Sequence, residues 1–436
     1  MPSPALSGRS EIAKKHEPRV PAVILPRRWR YSMVRLLHTA DWHLGKRLGR
    51  FERLAEQQHA LESLLQHADT EHVDAILVAG DVFDSANPST EALKLFHTAL
   101  CELSRGGERP VIVIAGNHDS PERLEAAATW GYALGILLLG FPDTALPPAG
   151  TPLGKAVIRS SVPGMLELEH PRWAHPLRLL PLPYVSAYRL SHDLPVPLPE
   201  WLRRRWEAAL QHRRTAAPTL VIAHLYCQAP DGTAPEEGED EKPVALGGLD
   251  PLPTQIFPET VHYVALGHIH RPMTLQAEHP PVVYAGSLLP YTFTDTMPEK
   301  SAVLLELSPQ GVLSSTRLPL RGSLPLRRLC CQSVEGALQA LARYPEAYVQ
   351  LELSCDHALA VEDLQRLHQA HRYLVELRLV PRVPLPSASQ ANSLDPLRMD
   401  IEELFLTFFR TRTGVDPDPA LRQLFREVLR EHHSET

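Results

Sequence analysis

The sequence predicts an α/β fold: two stacked β-sheets flanked by helices, followed by a small α/β cap and a C-terminal helical hairpin. Three observations predict it. Five short runs, residues 34–37, 75–79, 111–115, 219–223 and 263–266, are continuously apolar rather than alternating, as buried parallel strands are. Helix-like segments such as 53–67 and 90–103 alternate with them, which is the α/β signature. A later group of β runs, 282–285, 302–307 and 315–318, predicts a second sheet packed against the first.

Taken in order, residues 1–32 are rich in proline and basic side chains and show no periodicity; they read as a disordered leader or the product of an upstream start codon. The first strand begins at Met33, and the main domain is expected over 33–322. Residues 323–385 read strand, helix (334–343), strand (348–353), helix (361–370), strand (374–379), a compact α/β cap. A polar linker, 386–398, leads to helices over 399–436. There Ile401, Leu404, Phe405, Phe408 and Phe409 recur at helical spacing, followed by Leu421, Leu424, Phe425, Val428 and Leu429. An apolar hairpin of this kind needs a partner surface.

Composition narrows the class. At 436 residues, with 44% hydrophobic and 22% charged side chains, the chain suits a soluble protein of two or three domains. No apolar run approaches the roughly 18 residues of a membrane span; residues 133–139 fit a helix end running into a strand. The five cysteines form no CxxC pair, and Cys330 and Cys331 are adjacent, so reduced thiols in a cytoplasmic protein are expected. A net charge of −7 does not announce a nucleic-acid binder, although an acidic total can hide a basic groove.

Each of the five strand-like runs is followed by polar residues that carry chemistry. These are Asp41-Trp42-His43, Gly80-Asp81-Val82-Phe83-Asp84, Gly116-Asn117-His118-Asp119, the isolated His224, and Gly267-His268-Ile269-His270. Ligands gather outside the carboxyl ends of parallel strands, so these side chains are expected along one edge of a sheet. A single histidine in an apolar setting is usually a satisfied packing residue, and His38, His59, His97 and His262 are read so. Seven candidate ligands after five strands resist that reading, because each buried polar group needs a partner.

The expected assignment places Asp41, His43 and His270 on one metal and Asn117, His224 and His268 on a second, with Asp81 bridging. Spacing by two should put Asp41 with His43, and His268 with His270, on one side of extended chain. Glycines at 80, 116 and 267 allow the backbone to approach closely. Imidazole, carboxylate and amide ligands without thiolate suit Mn²⁺, Fe²⁺ or Zn²⁺ better than Ca²⁺. Two ions about 3.5–4 Å apart clamp a phosphate and acidify a bridging water. His118 is then spare, placed to act on the phosphoryl oxygen or as general acid toward the leaving alkoxide. Asp84 is expected either to orient the His118 ring or to cap the following helix; Asp119 is expected behind the ligands rather than among them.

On these residues the chain resembles the calcineurin-like metallophosphoesterase superfamily, whose pattern is D-x-H, G-D-x-x-D, G-N-H-D, H and G-H-x-H. The segments 37–45, 80–84, 265–272 and 284–291, with the helical tail, resemble more narrowly the bacterial SbcD nuclease subunits. The resemblance runs from Met33 nearly to the C-terminus. It implies a two-sheet metallophosphoesterase sandwich and an Mn²⁺-dependent DNA nuclease of repair, recombination and replication. It further implies 3′–5′ exonuclease action on double strands and endonuclease action on single strands and hairpins. Partners implied are DNA, an SbcC-type ATPase docked on the tail, and a second copy of the chain within a heterotetramer, with no membrane.

Some segments depart from that pattern. The leader before Met33 has no counterpart, the loop 228–244 is unusually acidic, and 291–295 differ from the family's serine and glutamate. None is a ligand. A protein phosphatase of this superfamily would carry arginine shortly after the second motif and glutamate after Asn-His; here stand Ser85-Ala86 and Asp119. The remaining alternatives are a hydrolase of small phosphodiesters, which would not need the cap or the tail, and a non-catalytic scaffold at DNA ends.

Overall fold

The computed structural model describes residues 33–185, 194, 196–236, 251–294, 299–355, 359–381, 400–413, 416–418 and 421–426. The leader, the linker, residues 237–244 of the acidic loop and residues 427–436 of the tail lie outside the described residues.

Two large sheets form the main body. The first has six strands in the order Gly311–Pro319, Ser301–Ser308, Val34–Thr39, Ala75–Ala79, Val111–Ile114, Ile136–Leu139. Its last four strands run parallel; the two late strands join antiparallel beside Val34–Thr39. The second has eight, in the order Met273–Gln276, Val282–Tyr284, Tyr263–Gly267, Thr219–His224, Leu177–Leu182, Met165–Glu169, Ala156–Val162, Pro152–Leu153. Four of these, from Val282–Tyr284 to Leu177–Leu182, are parallel neighbours.

This corrects two expectations. Residues 302–307 and 315–318 extend the first sheet rather than build the second. The second sheet instead takes the strands that carry the fourth and fifth motifs, so the motifs are divided three to two between sheets. Strand neighbours follow from the crossover connections, which local apolar pattern does not report.

The continuous apolar runs follow from burial on both faces. Side chains alternate between faces, so Leu36, Ala75, Leu77, Ile112 and Ile114 meet Leu179, Leu220, Ile222 and Ala265 between the sheets. Their neighbours Leu37, Ile76, Val78, Val111 and Val113 pack outward under the helices Leu54–Thr70 and Thr90–Ser104. Val221, Ala223, Val264 and Leu266 pack under Leu198–Leu210 on the other side. Each fully buried Leu, Ile or Val contributes about 1.5–3 kcal/mol, so a charge on either strand face would be strongly destabilising. The helix Thr90–Ser104 starts where Ser89 Oγ accepts from the Ala92 amide at 3.1 Å, a cap worth about 1 kcal/mol.

The strands Leu326–Cys331, Tyr348–Cys355 and Leu374–Pro381 form a separate parallel sheet. The helices Val334–Ala342 and Val361–Ala370 cover it around Ala337, Leu341, Leu351, Leu367 and Leu374. In the tail, helix Ile401–Thr413 meets the helical residues 421–426, with Phe405 stacked on Phe425 at 3.9 Å. Ile401, Leu404, Phe408 and Leu424 remain exposed. Among the described residues no helix is long and apolar enough to cross a membrane.

Candidate metal centre

The two sheets abut at Ala79. Its carbonyl accepts from His224 Nδ1 at 2.9 Å, and a Cβ added to Gly267 would stand 2.0 Å from that same oxygen. Around this junction all seven ligand candidates and His118 are gathered. Oxygen and nitrogen atoms of Asp41, His43 and His270 lie within 4.8 Å of one another, as do those of Asp41, Asp81 and His224, and those of His43, Asp81 and His118. Asn117 Oδ1 is 2.8 Å from His224 Nε2 and 3.4 Å from His268 Nδ1. Asp81 Oδ2 stands between the groups, 3.6 Å from both His43 Nε2 and His224 Nε2.

The route by which the spaced pairs arrive differs from expectation. Asp41, His43, Asp81 and His268 adopt φ of 51°, 45°, 50° and 108°, so none of these four lies in extended chain. Each left-handed residue costs about 1–3 kcal/mol and persists only where its surroundings over-determine it. Here they do: the Asp41 amide donates to Gly80 O at 3.0 Å and the His43 amide to Asp81 O at 3.0 Å. Asp41 Oδ1 accepts from the His268 amide at 2.9 Å, and Asp81 Oδ1 from the His118 amide at 2.8 Å. The ligand loops thus hold one another by main chain as well as side chain.

The donor set fits divalent cations. His224 gives its Nδ1 proton to Ala79 O, so its Nε2 presents a lone pair to the Asn117 and Asp81 oxygens. Burial, opposed by Asp81 and aided by His268, pulls its pKa down to about 4, which keeps the ring neutral. His43 is held well below the usual histidine range by burial, then by His270 and His118, and its Nε2 faces His270 Nε2 at 2.8 Å. Burial would raise the Asp81 carboxyl, but His224 and His118 outweigh it and keep the group below the usual range. Lone pairs converging on a buried carboxylate, with nitrogen and oxygen donors only, suit Mn²⁺, Fe²⁺ or Zn²⁺.

His118 and its neighbours are arranged otherwise than the sequence suggests. His118 Nδ1 donates to the main-chain carbonyl of Asp84 at 2.8 Å, not to its carboxylate. That carboxylate turns instead to Lys46 Nζ at 3.2 Å, and Ser89 rather than Asp84 caps the next helix. Asp84 therefore orients His118 through its backbone. Asp119 clamps two loops together, accepting from the Gly116, Val82 and Phe83 amides at 2.8, 3.1 and 2.9 Å. Burial and the Asp81 carboxylate push its pKa up to about 7 against those three donors. His38 is a satisfied core histidine, bonded to the Tyr263 hydroxyl and Leu266 O, and His262 accepts from the Thr219 amide.

Sequence reasoning misses the support behind His43. Gln57 Nε2 donates to His43 O at 2.7 Å and to the Tyr291 hydroxyl at 2.9 Å, and Lys300 Nζ donates to His270 O at 2.9 Å. A glutamine at a buried helix position is the one available signal, since it must spend its amide on a partner. Gly116 shows how little room is left: an added Cβ would stand 2.1 Å from Asp81 Oδ1 and 2.3 Å from the Asp81 amide. Gly116→Ala should destabilise the protein by about 1–3 kcal/mol and weaken metal binding. An unchanged melting temperature and metal affinity would show this packing to be looser than described.

A family model, the calcineurin-like phosphoesterases, matches residues 34–272. The SbcD subunit of the SbcCD nuclease of Bacillus subtilis is 32% identical over 414 residues, covering 91% of this chain and 97% of that protein. The corresponding SbcCD nuclease subunit of Rhodobacter capsulatus is 31% identical over 418 residues, covering 91% and 93%. Among solved structures, a dimetal phosphatase from Danio rerio aligns at 15% identity with a TM-score of 0.38, covering 66% of this chain and 99% of that one.

The fold and the family match define the class: the chain belongs to the calcineurin-like phosphoesterases and is a metal-dependent phosphodiester hydrolase. Within that class it is a member of the SbcD family.

Proposed function

We propose that this chain is the nuclease subunit of an SbcCD-type complex and hydrolyses DNA phosphodiesters with two Mn²⁺ ions. The observation that carries the reading is the convergence of Asp41, His43, Asp81, Asn117, His224, His268 and His270 at one junction, with His118 beside them. Asp41, His43 and His270 would hold one ion, Asn117, His224 and His268 the other, and Asp81 both. When bound, the metal pair supplies electrostatic stabilisation of the phosphoryl group and an acidified water.

The chain's own residues do the rest. His224 and His43, kept neutral by burial, present lone pairs rather than protons to the cleft. His118 is anchored through Nδ1 on the Asp84 carbonyl, which leaves Nε2 to donate a proton to the departing sugar oxygen. The Asp119 clamp keeps the Asp81 and Asn117 loops at fixed separation while this happens.

The remaining parts of the reading rest on family membership together with features of the chain. Cleavage from 3′ ends of duplexes, cutting of single strands and hairpins, and pairing with an SbcC-type ATPase are carried over from the family. The exposed Ile401, Leu404, Phe408 and Leu424 support a partner on the tail helices. Pairing of two copies in a heterotetramer is likewise carried over from the family. The cap, residues 323–385, would steer DNA toward the centre. The free thiols Cys101, Cys227, Cys330 and Cys331 support a cytoplasmic protein.

The test is a labelled duplex assay with the ATPase partner, after chelation and after Mn²⁺ is returned. Chelation should abolish cleavage and Mn²⁺ should restore it. Metal-restored hydrolysis of small phosphodiesters alone, with DNA left intact, would favour the small-substrate alternative. Nuclease activity that survives exhaustive chelation would end the two-metal reading.

A further inference from the structure

The segment that carries His43 continues directly to the cap. It passes through Gly45 and Lys46 into the hairpin of Arg47–Leu48 and Phe51–Glu52. A Cβ added to Gly49 in its turn would stand 3.0 Å from Val375 of the cap. The Phe51 ring meets the cap residue Tyr348 edge-on at 5.4 Å.

Arg53 follows, only 1% exposed. Its Nε and Nη2 grip the Glu56 carboxylate at 3.0 and 2.8 Å, and its Nη1 donates to Pro290 O at 2.6 Å. Glu56 is also reached by the Tyr348 hydroxyl at 2.8 Å and by the Leu324 amide at 2.9 Å. The Arg53 guanidinium lies over the Tyr348 ring at 5.0 Å. Beside Pro290, Tyr291 donates to Trp42 O at 2.6 Å and sets its ring edge-on to His43 and His270, at 5.7 and 5.9 Å. Gln57 Nε2 ties the Tyr291 hydroxyl to His43 O, and Gln57 Oε1 accepts from the Gly45 amide at 3.0 Å.

From Tyr348 to His43, then, the steps are short directional contacts, half-buried at Glu56 and buried from Arg53–Pro290 onward. Arg53 is buried, so losing its bonds to the half-buried Glu56 would leave a buried charge unpaired at a large penalty, and the pair moves as a unit. Pro290 and Tyr291 must follow Arg53, and the Trp42–His43 backbone must follow Tyr291. The Tyr348 hydroxyl is the point at which the cap enters this chain.

We propose that Tyr348 is a positioning residue for the first ligand cluster. Acting through Glu56, Arg53 and Tyr291, it holds His43 and His270 in place for metal when the cap is seated. The inference rests on the reading of Asp41, His43 and His270 as metal ligands. It makes metal affinity a property of where the cap lies, with no cap residue touching the ion.

The test uses the full chain and Mn²⁺ alone, titrated by calorimetry. Tyr348→Phe keeps the ring under Arg53 and against Phe51 and removes only the hydroxyl. The first Mn²⁺ should bind about tenfold more weakly, the low end for groups that orient ligands, while the second is unaffected. The Mn²⁺ concentration for half-maximal hydrolysis of bis(4-nitrophenyl) phosphate should rise by the same factor. Glu56→Gln, which weakens the grip on Arg53, should give a loss at least as large, with melting of the metal-free protein checking that each variant folds. Wild-type Mn²⁺ affinity in both folded variants overturns the inference, even if DNA cleavage falls, because the cluster then merely seats the cap. Failure of the wild-type chain itself to bind Mn²⁺ overturns the metal reading instead.

Discussion

Asp81→Asn should remove Mn²⁺-dependent nuclease activity and lower metal affinity by well over 100-fold. Groups that only orient ligands already cost 10–100-fold when altered, and Asp81 stands nearer than that: its Oδ2 lies 3.6 Å from His43 Nε2, proposed for one ion, and 3.6 Å from His224 Nε2, proposed for the other. The substitution is nearly isosteric, and an amide oxygen can still accept from the His118 amide, so the loops should keep their places. It also removes the charge that pushes Asp119 upward. The metal-free variant should therefore melt no lower than the parent. What it should lose is the rise in melting temperature on adding Mn²⁺, worth about 2.7 kcal/mol when metal is at 100 times its dissociation constant. Activity at the full rate would show that Asp81 is not the bridge.

His118→Ala should act on rate and leave binding alone. A positioned proton donor contributes about 10²–10⁴-fold, and a loss of that size is expected in kcat, with both Mn²⁺ ions still bound. The rival role is explicit, since His118 also falls within reach of His43 and Asp81 in a possible three-ligand group. Its Nε2 is 3.9 Å from Asp81 Oδ2, and its Nδ1 is spent on Asp84 O. Metal stoichiometry decides between the roles: loss of one equivalent of Mn²⁺ would make His118 a ligand. A substrate with a good leaving group offers a second readout, because it needs no proton on departure. The variant should recover much of its rate there if His118 is the donor.

Much of the architecture is legible in residue pattern, for a definite reason. Runs such as Ala75–Ala79 and Val111–Ile114 are buried on both faces, and burial on both faces leaves no polar alternation to confuse with a surface strand. The motif residues are legible because Asp, Asn and His buried after such runs are costly unless something binds them. The division of those motifs between two sheets is not legible, since adjacency of strands is set by long connections. Nor are the left-handed conformations of Asp41, His43, Asp81 and His268, for these residue types carry none of the glycine signal that marks positive φ. The Asp84 outcome has the same origin. Sequence names a residue, but it does not say whether its carbonyl or its carboxylate meets His118. Gln57, Arg53 and Glu56 lie in an ordinary helix start and gain their meaning only from what Pro290, Tyr291 and Tyr348 bring to them.

The three-to-two division of motifs has a consequence for how the protein comes into being. His43 and His270 face each other across 227 positions of chain, and neither sheet carries all the donors proposed for either ion. Contacts this remote form late, because the entropy of closing so long a loop must be overcome before they stabilise anything. Uptake of metal is therefore expected to follow the docking of the two sheets rather than guide it. During synthesis, a chain stalled before the fifth motif would have only the four parallel strands of the first sheet, without Ser301–Ser308 and Gly311–Pro319, and no competent centre. A nuclease assembled in this order cannot become active until nearly all of its catalytic body has folded.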